Sequence, residues 1–134
     1  MAFNLRHKLT VPQIPVSWGE LLDKICILEI KKEKVSNQTA LLNVTAEFEI
    51  LNNIISNEIL ANSEVAKLRV ELKEVNLNIW NIEAEIRIKE AANDFGDRFI
   101  DLARSTYLQN DNRASIKRKI NEVLKSEIIE EKIY

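Results

Sequence analysis

Glycine and proline are nearly absent from this chain, with two of each in 134 residues. An antiparallel β-sheet fold fills many tight turns with Gly, Pro, Asn and Asp, so two glycines argue for few connections and long helices. Cysteine occurs once, as Cys26, which excludes an internal disulfide. Set in an apolar run, Cys26 reads as a small core residue rather than a nucleophile. Histidine also occurs once, as His7, with no cysteine or second histidine nearby. A zinc site of His and Cys ligands is excluded on ligand count, and no cofactor is expected. A basic excess is missing too: 19 basic against 21 acidic residues leave a net charge of −2. Nucleic-acid binders take most of their affinity from neutralised phosphates, so nucleic acid is not an expected partner. Charges interrupt every apolar stretch short of the roughly 18 residues that a membrane span needs. Met1 to Thr10 lacks the apolar core of a signal peptide. No membrane partner and a cytoplasmic location are the expectations.

What is present is a globular composition, 46% hydrophobic and 30% charged, in a length that suits one domain. Residues 8–16 carry apolar side chains at Leu9, Val11, Ile14 and Val16, but Pro12 and Pro15 fix φ and remove two donors, so this stretch is an extended arm. Ser17-Trp18-Gly19-Glu20 is a capping box that starts a helix running to about Lys34. That helix is apolar most of the way round, as a central, buried helix is. Leu41, Val44, Phe48, Leu51 and Ile55 recur at helical spacing, which predicts a second helix from about Thr39 to Leu60. Ser63 is placed to cap a third, over 64–92, in which Val65, Leu68, Leu72, Val75, Ile79, Ile82 and Ile86 form an unbroken heptad seam. The short connection 61–63 predicts that the second and third helices pair antiparallel, seam to seam. A second apolar line, Val70, Leu77, Ala84 and Ala91, lies on the far side of the third helix. Other helices of the chain or a second subunit must cover it.

Asn93-Asp94-Phe95-Gly96 breaks the third helix. A fourth helix follows and ends at Asn110 or Asp111, which caps a fifth. The expected architecture is all-α: a helical bundle around a long antiparallel helical hairpin, with an extended N-terminal arm. In residues, 1–16 is the arm, 17–61 holds two helices, 63–92 the long one and 95–125 two more. The tail over 126–134 is apolar at Ile128, Ile129, Ile133 and Tyr134 and is expected to dock, with pairing against the arm one option.

Several polar residues are candidates for chemistry. Glu29 falls on the stripe of Leu22 and Ile25, where a carboxylate must find a partner or have its pKa raised by desolvation. It is either a ligand-binding or acid/base group, or one half of an ion pair. Glu20 and Asp23, with Lys24 beside them, have the spacing of a Mg²⁺-holding carboxylate pair. Such a site needs a second acidic pair, from Glu71 and Glu74 or from Glu83 and Glu90; a solvated face is the simpler explanation. The stretch 98–119 is basic, and Arg104, Tyr107, Arg113 and Lys117 are candidates for an anion pocket. The alternative is that these cations pair with carboxylates such as Glu83. Arg87, four residues after Glu83, suits an intrahelical pair.

Val16 to Lys31 (VSWGELLDKICILEIK), WNIEAEIR over 80–87, DFGDRFIDLARSTYLQNDNRASIKRKIN over 94–121 and the closing EEKIY resemble a family of small bacterial proteins of unknown function. Ile133 departs from that pattern, which has a small polar residue there. The resemblance implies an all-helical fold and a bacterial or phage-like origin, without an activity. It directs attention to the polar residues of the matching stretches, Asn110 and Asp111 among them.

Two functions compete. One is a non-catalytic interaction or assembly module that engages a partner helix or a second copy. The other is a small-molecule-binding protein or enzyme for a phosphate- or carboxylate-bearing ligand, with Arg104, Arg113 and Lys117 as the clamp. The second requires those cations to share a pocket with Tyr107 and with Glu83 or Glu29. Whether the chain is an enzyme is open at this level.

Overall fold

A computed structural model describes residues 10–134, which form five helices and no strand among the described residues. The N-terminal part of the expected arm, with His7 and Leu9, lies outside them; residues 10–16 carry no regular structure. Half of the capping box forms: the Ser17 hydroxyl accepts from the Glu20 N–H at 3.1 Å and opens α1, Trp18–Lys34, while the Glu20 carboxylate turns to Lys117. As its all-round apolar character predicts, α1 is the most buried helix, with Leu22, Ile25 and Ile30 fully enclosed. Burial of each such side chain is worth about 1.5–3 kcal/mol.

The second helix is broken. α2 is Gln38–Asn52, and α3, Asn57–Leu60, restarts after Ser56, whose hydroxyl accepts from the Ile59 N–H. Asn52 and Asn53 are poor helix residues, and the Ser56 cap offers the chain a fresh start. Asn62, not Ser63, caps α4, Ser63–Ala91, by accepting from the Val65 N–H at 3.0 Å. α4 stops where Asn93 takes the left-handed conformation at φ 52° and the Asp94 N–H reaches back to the Lys89 carbonyl. Gly96 has a negative φ of −76° and serves as N-cap of α5 instead.

α5 is a single helix, Asp97–Val123, where a break at Asn110 or Asp111 was expected. The Asn110 amide oxygen accepts from Arg113 Nη2 at 2.7 Å, so its side chain is not free to cap a new helix start. The expected long antiparallel hairpin exists, but it is α4 with α5; α2 packs along α1 and makes no helix–helix contact with α4. The heptad seam of α4 therefore faces α5 and α1. Near the base of the hairpin α1 touches both long helices, and the core gathers there: Leu22, Ile25, Leu72, Ile116 and Ile120.

Candidate functional site

Three helices and the C-terminal segment meet in one polar cluster. α1 contributes Ser17, Glu20 and Asp23 from its first turns; α4 contributes Asn76; α5 contributes Asn110, Arg113, Lys117 and Asn121. Close approach is possible because residue 19 is glycine: a Cβ there would lie 2.5 Å from the Lys117 carbonyl oxygen. The Gly19 N–H donates to Asn121 Oδ1 at 2.7 Å, and the Trp18 N–H to Ser126 Oγ at 3.3 Å. The orphan donors at the start of α1 are thus met by α5 and the residue that follows it.

Lys117 is the centre of the cluster. Its ammonium donates to Glu20 Oε2 at 2.5 Å and lies 3.7 Å from Asp23 and 3.6 Å from Glu130. Burial pushes the Glu20 carboxyl up, but the hydrogen bond and charge of Lys117 outweigh it and hold the group below its ordinary 4.5. Burial likewise works against the Lys117 charge, yet the hydrogen bond to Glu20 and the fields of Asp23 and Glu130 keep the ammonium above its ordinary 10.5. Asp23 and Asn76 are each only 5% exposed. Asn76 Nδ2 donates to Asp23 Oδ1 at 2.8 Å, and its oxygen accepts from Arg113 Nη1 at 3.3 Å. A continuous chain of hydrogen bonds and ion pairs therefore runs from Arg113 through Asn76, Asp23 and Lys117 to Glu20 and Glu130.

The C-terminal segment crosses this cluster and encloses a cavity of about 660 Å³ against α5, lined by Asn110, Arg113, Lys117, Arg118, Glu130 and Tyr134 among others. Glu130 accepts from the Ser17 hydroxyl at 3.3 Å, Arg118 forks onto Glu131 at 3.0 and 3.5 Å, and Lys132 pairs with Asp111 at 3.4 Å. The tail, expected to dock through its apolar residues, makes these contacts by charge instead: Ile133 and Tyr134 stay exposed, and no strand forms with residues 10–16.

Of the residues singled out from the sequence, Glu20, Asp23, Arg113 and Lys117 come together here. Lys24 is exposed at the edge and adds its positive field to Glu20. Glu29 lies on the other side of α1, one-third exposed and paired with Arg69 at 3.7 Å and Lys73 at 3.8 Å. Glu83 and Arg87 form an i,i+4 pair at 3.6 Å on α4. Arg104 and Tyr107 are exposed and do not reach the cluster. In an unbroken helix the nine residues from Arg104 to Arg113 turn the chain by half a revolution and advance it about 13 Å. The clamp of Arg104, Arg113 and Lys117 is therefore not assembled. Nor does a second acidic pair meet Glu20 and Asp23; their cation is Lys117. Among the described residues no three His, Cys, Asp or Glu side chains are grouped so as to hold a metal ion.

Asn76, Asn121, Ser126 and Glu130 escaped the sequence reading. Asn76 alone left a signal: it sits about 40° round the helix from Leu72, on a face otherwise built of Val, Leu and Ile.

The model of a family of unknown function, DUF6165, matches residues 12–134, and the chain belongs to that family. No curated protein and no solved structure matches.

Proposed function

We propose that this member of the DUF6165 family is a non-catalytic interaction module whose contact surface is the outer face of α4. The observation that carries the reading is an uncovered apolar line. Val70 is 70% exposed and Ile88 67%, and Ala66, Ala84 and Ala91 lie open between and beside them. α1 borders this side only at its edge, where Leu77 packs on the core. Two large apolar side chains held in water on one helix face, with small ones between them, mark a contact site.

The polar cluster argues for the same reading by being self-sufficient. Lys117, Arg118 and Lys132 each meet a carboxylate, and Arg113 is held by two amides. An anion entering the cavity would have to displace Glu130 and Glu131 and face Glu20 and Asp23. The cluster thus fastens α1 and the C-terminal segment to α5, and steadies the base from which the hairpin projects. The module is placed in the cytoplasm, where a lone thiol such as Cys26 stays reduced.

Photo-crosslinking tests the assignment. A photoreactive residue is placed at Val70, at Ile88 or, as control, at the exposed Glu47 of α2, in the cells that make the chain. Adducts at Val70 and Ile88 and none at Glu47 are expected. Absence of adducts at both α4 positions, or equal yields at all three, would overturn the proposal.

A further inference from the structure

We infer that the partner on this face is a second copy of the chain, its α4 packed antiparallel on the first about a two-fold axis passing Leu77. The inference rests on the outer face of α4 being a contact surface, and two observations identify the occupant.

The first is the order of side chains. Ala66, Val70, Leu77, Ala84 and Ile88 fall within a sector of about 40° on the α4 surface. Leu77 is their midpoint: Val70 and Ala84 stand seven residues to either side, Ala66 and Ile88 eleven. A two-fold through Leu77 therefore sets Val70 of one copy against Ala84 of the other, and Ile88 against Ala66. On either side of the half-buried Leu77, which meets its own copy at the axis, large meets small, with each pair repeated by symmetry. Parallel pairing would set Val70 on Val70 and leave Ala84 facing Ala84 across a gap.

The second is a receptacle for the knob. Between α1 and α4 lies an open groove of about 570 Å³, lined by Leu22, Cys26, Ala66, Val70 and Leu77 among others. Antiparallel pairing brings Ile88 of the other copy over this groove. Lys67 and Glu85 flank the stripe on its other edge, ten and eight residues from Leu77, and the same register sets Lys67 of one copy near Glu85 of the other, where it would join the Arg98 that already forks onto Glu85.

Sedimentation of the full chain at about 100 µM is expected to give twice the 15.5 kDa chain mass. Val70→Glu with Ile88→Glu is expected to weaken the pairing about 100-fold or more, with the helical circular dichroism spectrum unchanged because both side chains are exposed in the single chain, and with Tm lowered only by the loss of pairing. Register is read by Val70→Cys with Ala84→Cys. The two positions lie about 21 Å apart on one helix, beyond the reach of an internal disulfide, so oxidation is expected to link two copies. Either single variant is expected to stay unlinked. A monomer at that concentration, or a dimer indifferent to the glutamates, overturns the inference. A monomer that still gives photo-adducts at Val70 removes self-pairing and leaves the contact surface standing; a monomer without them removes both.

Discussion

Gly19 and Asn121 join the two ends of the fold: the glycine N–H in the first turn of α1 donates to the asparagine oxygen in the last turn of α5 at 2.7 Å. The contact requires the helices to be closer than a side chain allows. A Cβ on residue 19 would meet the Lys117 carbonyl at 2.5 Å and Asn121 Oδ1 at 3.0 Å. Helix propensity alone makes Gly19→Ala stabilising by up to about 1 kcal/mol. The clash is with backbone that cannot swing away, so the substitution is expected to destabilise by about 2–4 kcal/mol. Urea unfolding followed by circular dichroism decides the sign, and a stabilised variant would show that α1 and α5 are not this close.

Asn76 gives a second case in which one side chain serves two helices. Its amide donates to Asp23 and accepts from Arg113, and the residue is almost wholly buried. Asn76→Leu preserves most of the volume but strips a buried carboxylate of a donor and an arginine of an acceptor. A loss of about 2–4 kcal/mol is expected, larger than for the exposed Asn78→Leu on the same helix. Chemical denaturation of the two variants side by side measures the difference; equal, small effects would mean that the network does not hold the bundle.

Cys26 lies beside that network, with its sulfur 3.5 Å from Asn76 Nδ2. Burial, helped by the negative fields of Glu29 and Asp23, pushes the thiol above its ordinary 9.0 despite the Asn76 hydrogen bond. A buried, protonated thiol does not attack electrophiles. Reaction with a chromogenic disulfide reagent at neutral pH is expected to be slow in the native protein and complete in urea. Rapid modification of the folded chain would refute this.

The helical class was legible because the signals for it are local: the capping box at Ser17, the seam from Val65 to Ile86 and the scarcity of glycine each speak within a turn or two. Partner choice was not. The seam on α4 fits any apolar stripe, and the short connection at 61–63 favoured α2 until Asn52 and Asn53 broke that helix and left α5 as the long partner. The break expected at Asn110 failed because its amide binds Arg113, a competition between side chain and backbone that spacing does not reveal. At the cluster, Glu20, Asp23, Arg113 and Lys117 could be singled out, yet Glu130 lies 113 residues from Ser17, whose hydroxyl it accepts from. Only the fold brings them together. Arg104 was grouped wrongly with Arg113 and Lys117 because the break expected at Asn110 or Asp111 lay between them, and the unbroken helix sets them at other angles.

The Glu20–Lys117 pair sets the response of stability to pH. Glu20 is held below its ordinary 4.5 in the folded chain, so its contribution is present above that value and is lost as pH falls through the folded pKa. Lys117 is held above 10.5, so its contribution is complete below that value and is lost as pH rises through the folded pKa. Lys117→Met leaves Glu20, Asp23 and Glu130 together without a cation, a penalty that protonation relieves. The stability gap between parent and variant is therefore expected to be widest near neutrality and to narrow below about pH 4.5. Urea midpoints across that range test it, and a gap independent of pH would exclude the pair as a source of stability.

The C-terminal segment is held by charge, and salt separates that from apolar docking. Its contacts are Glu130 with Lys117, Glu131 with Arg118 and Lys132 with Asp111, while Ile133 and Tyr134 stand in solvent. Exposed ion pairs are worth about 0.2–1 kcal/mol each and are largely screened at about 1 M salt, where the Debye length is near 3 Å. Apolar contacts respond in the opposite sense and tighten under salting-out anions such as sulfate. Cleavage by a glutamate-specific protease at Glu130 and Glu131 is expected to accelerate several-fold as sodium chloride rises, while cuts within α4 and α5 stay slow. Arg118→Gln, which breaks the pair with Glu131 and keeps both cleavage sites, is expected to reproduce part of that acceleration at low salt. Protection that grows with salt instead would mean that Ile128 and Ile129, not the carboxylates, anchor the segment over α5.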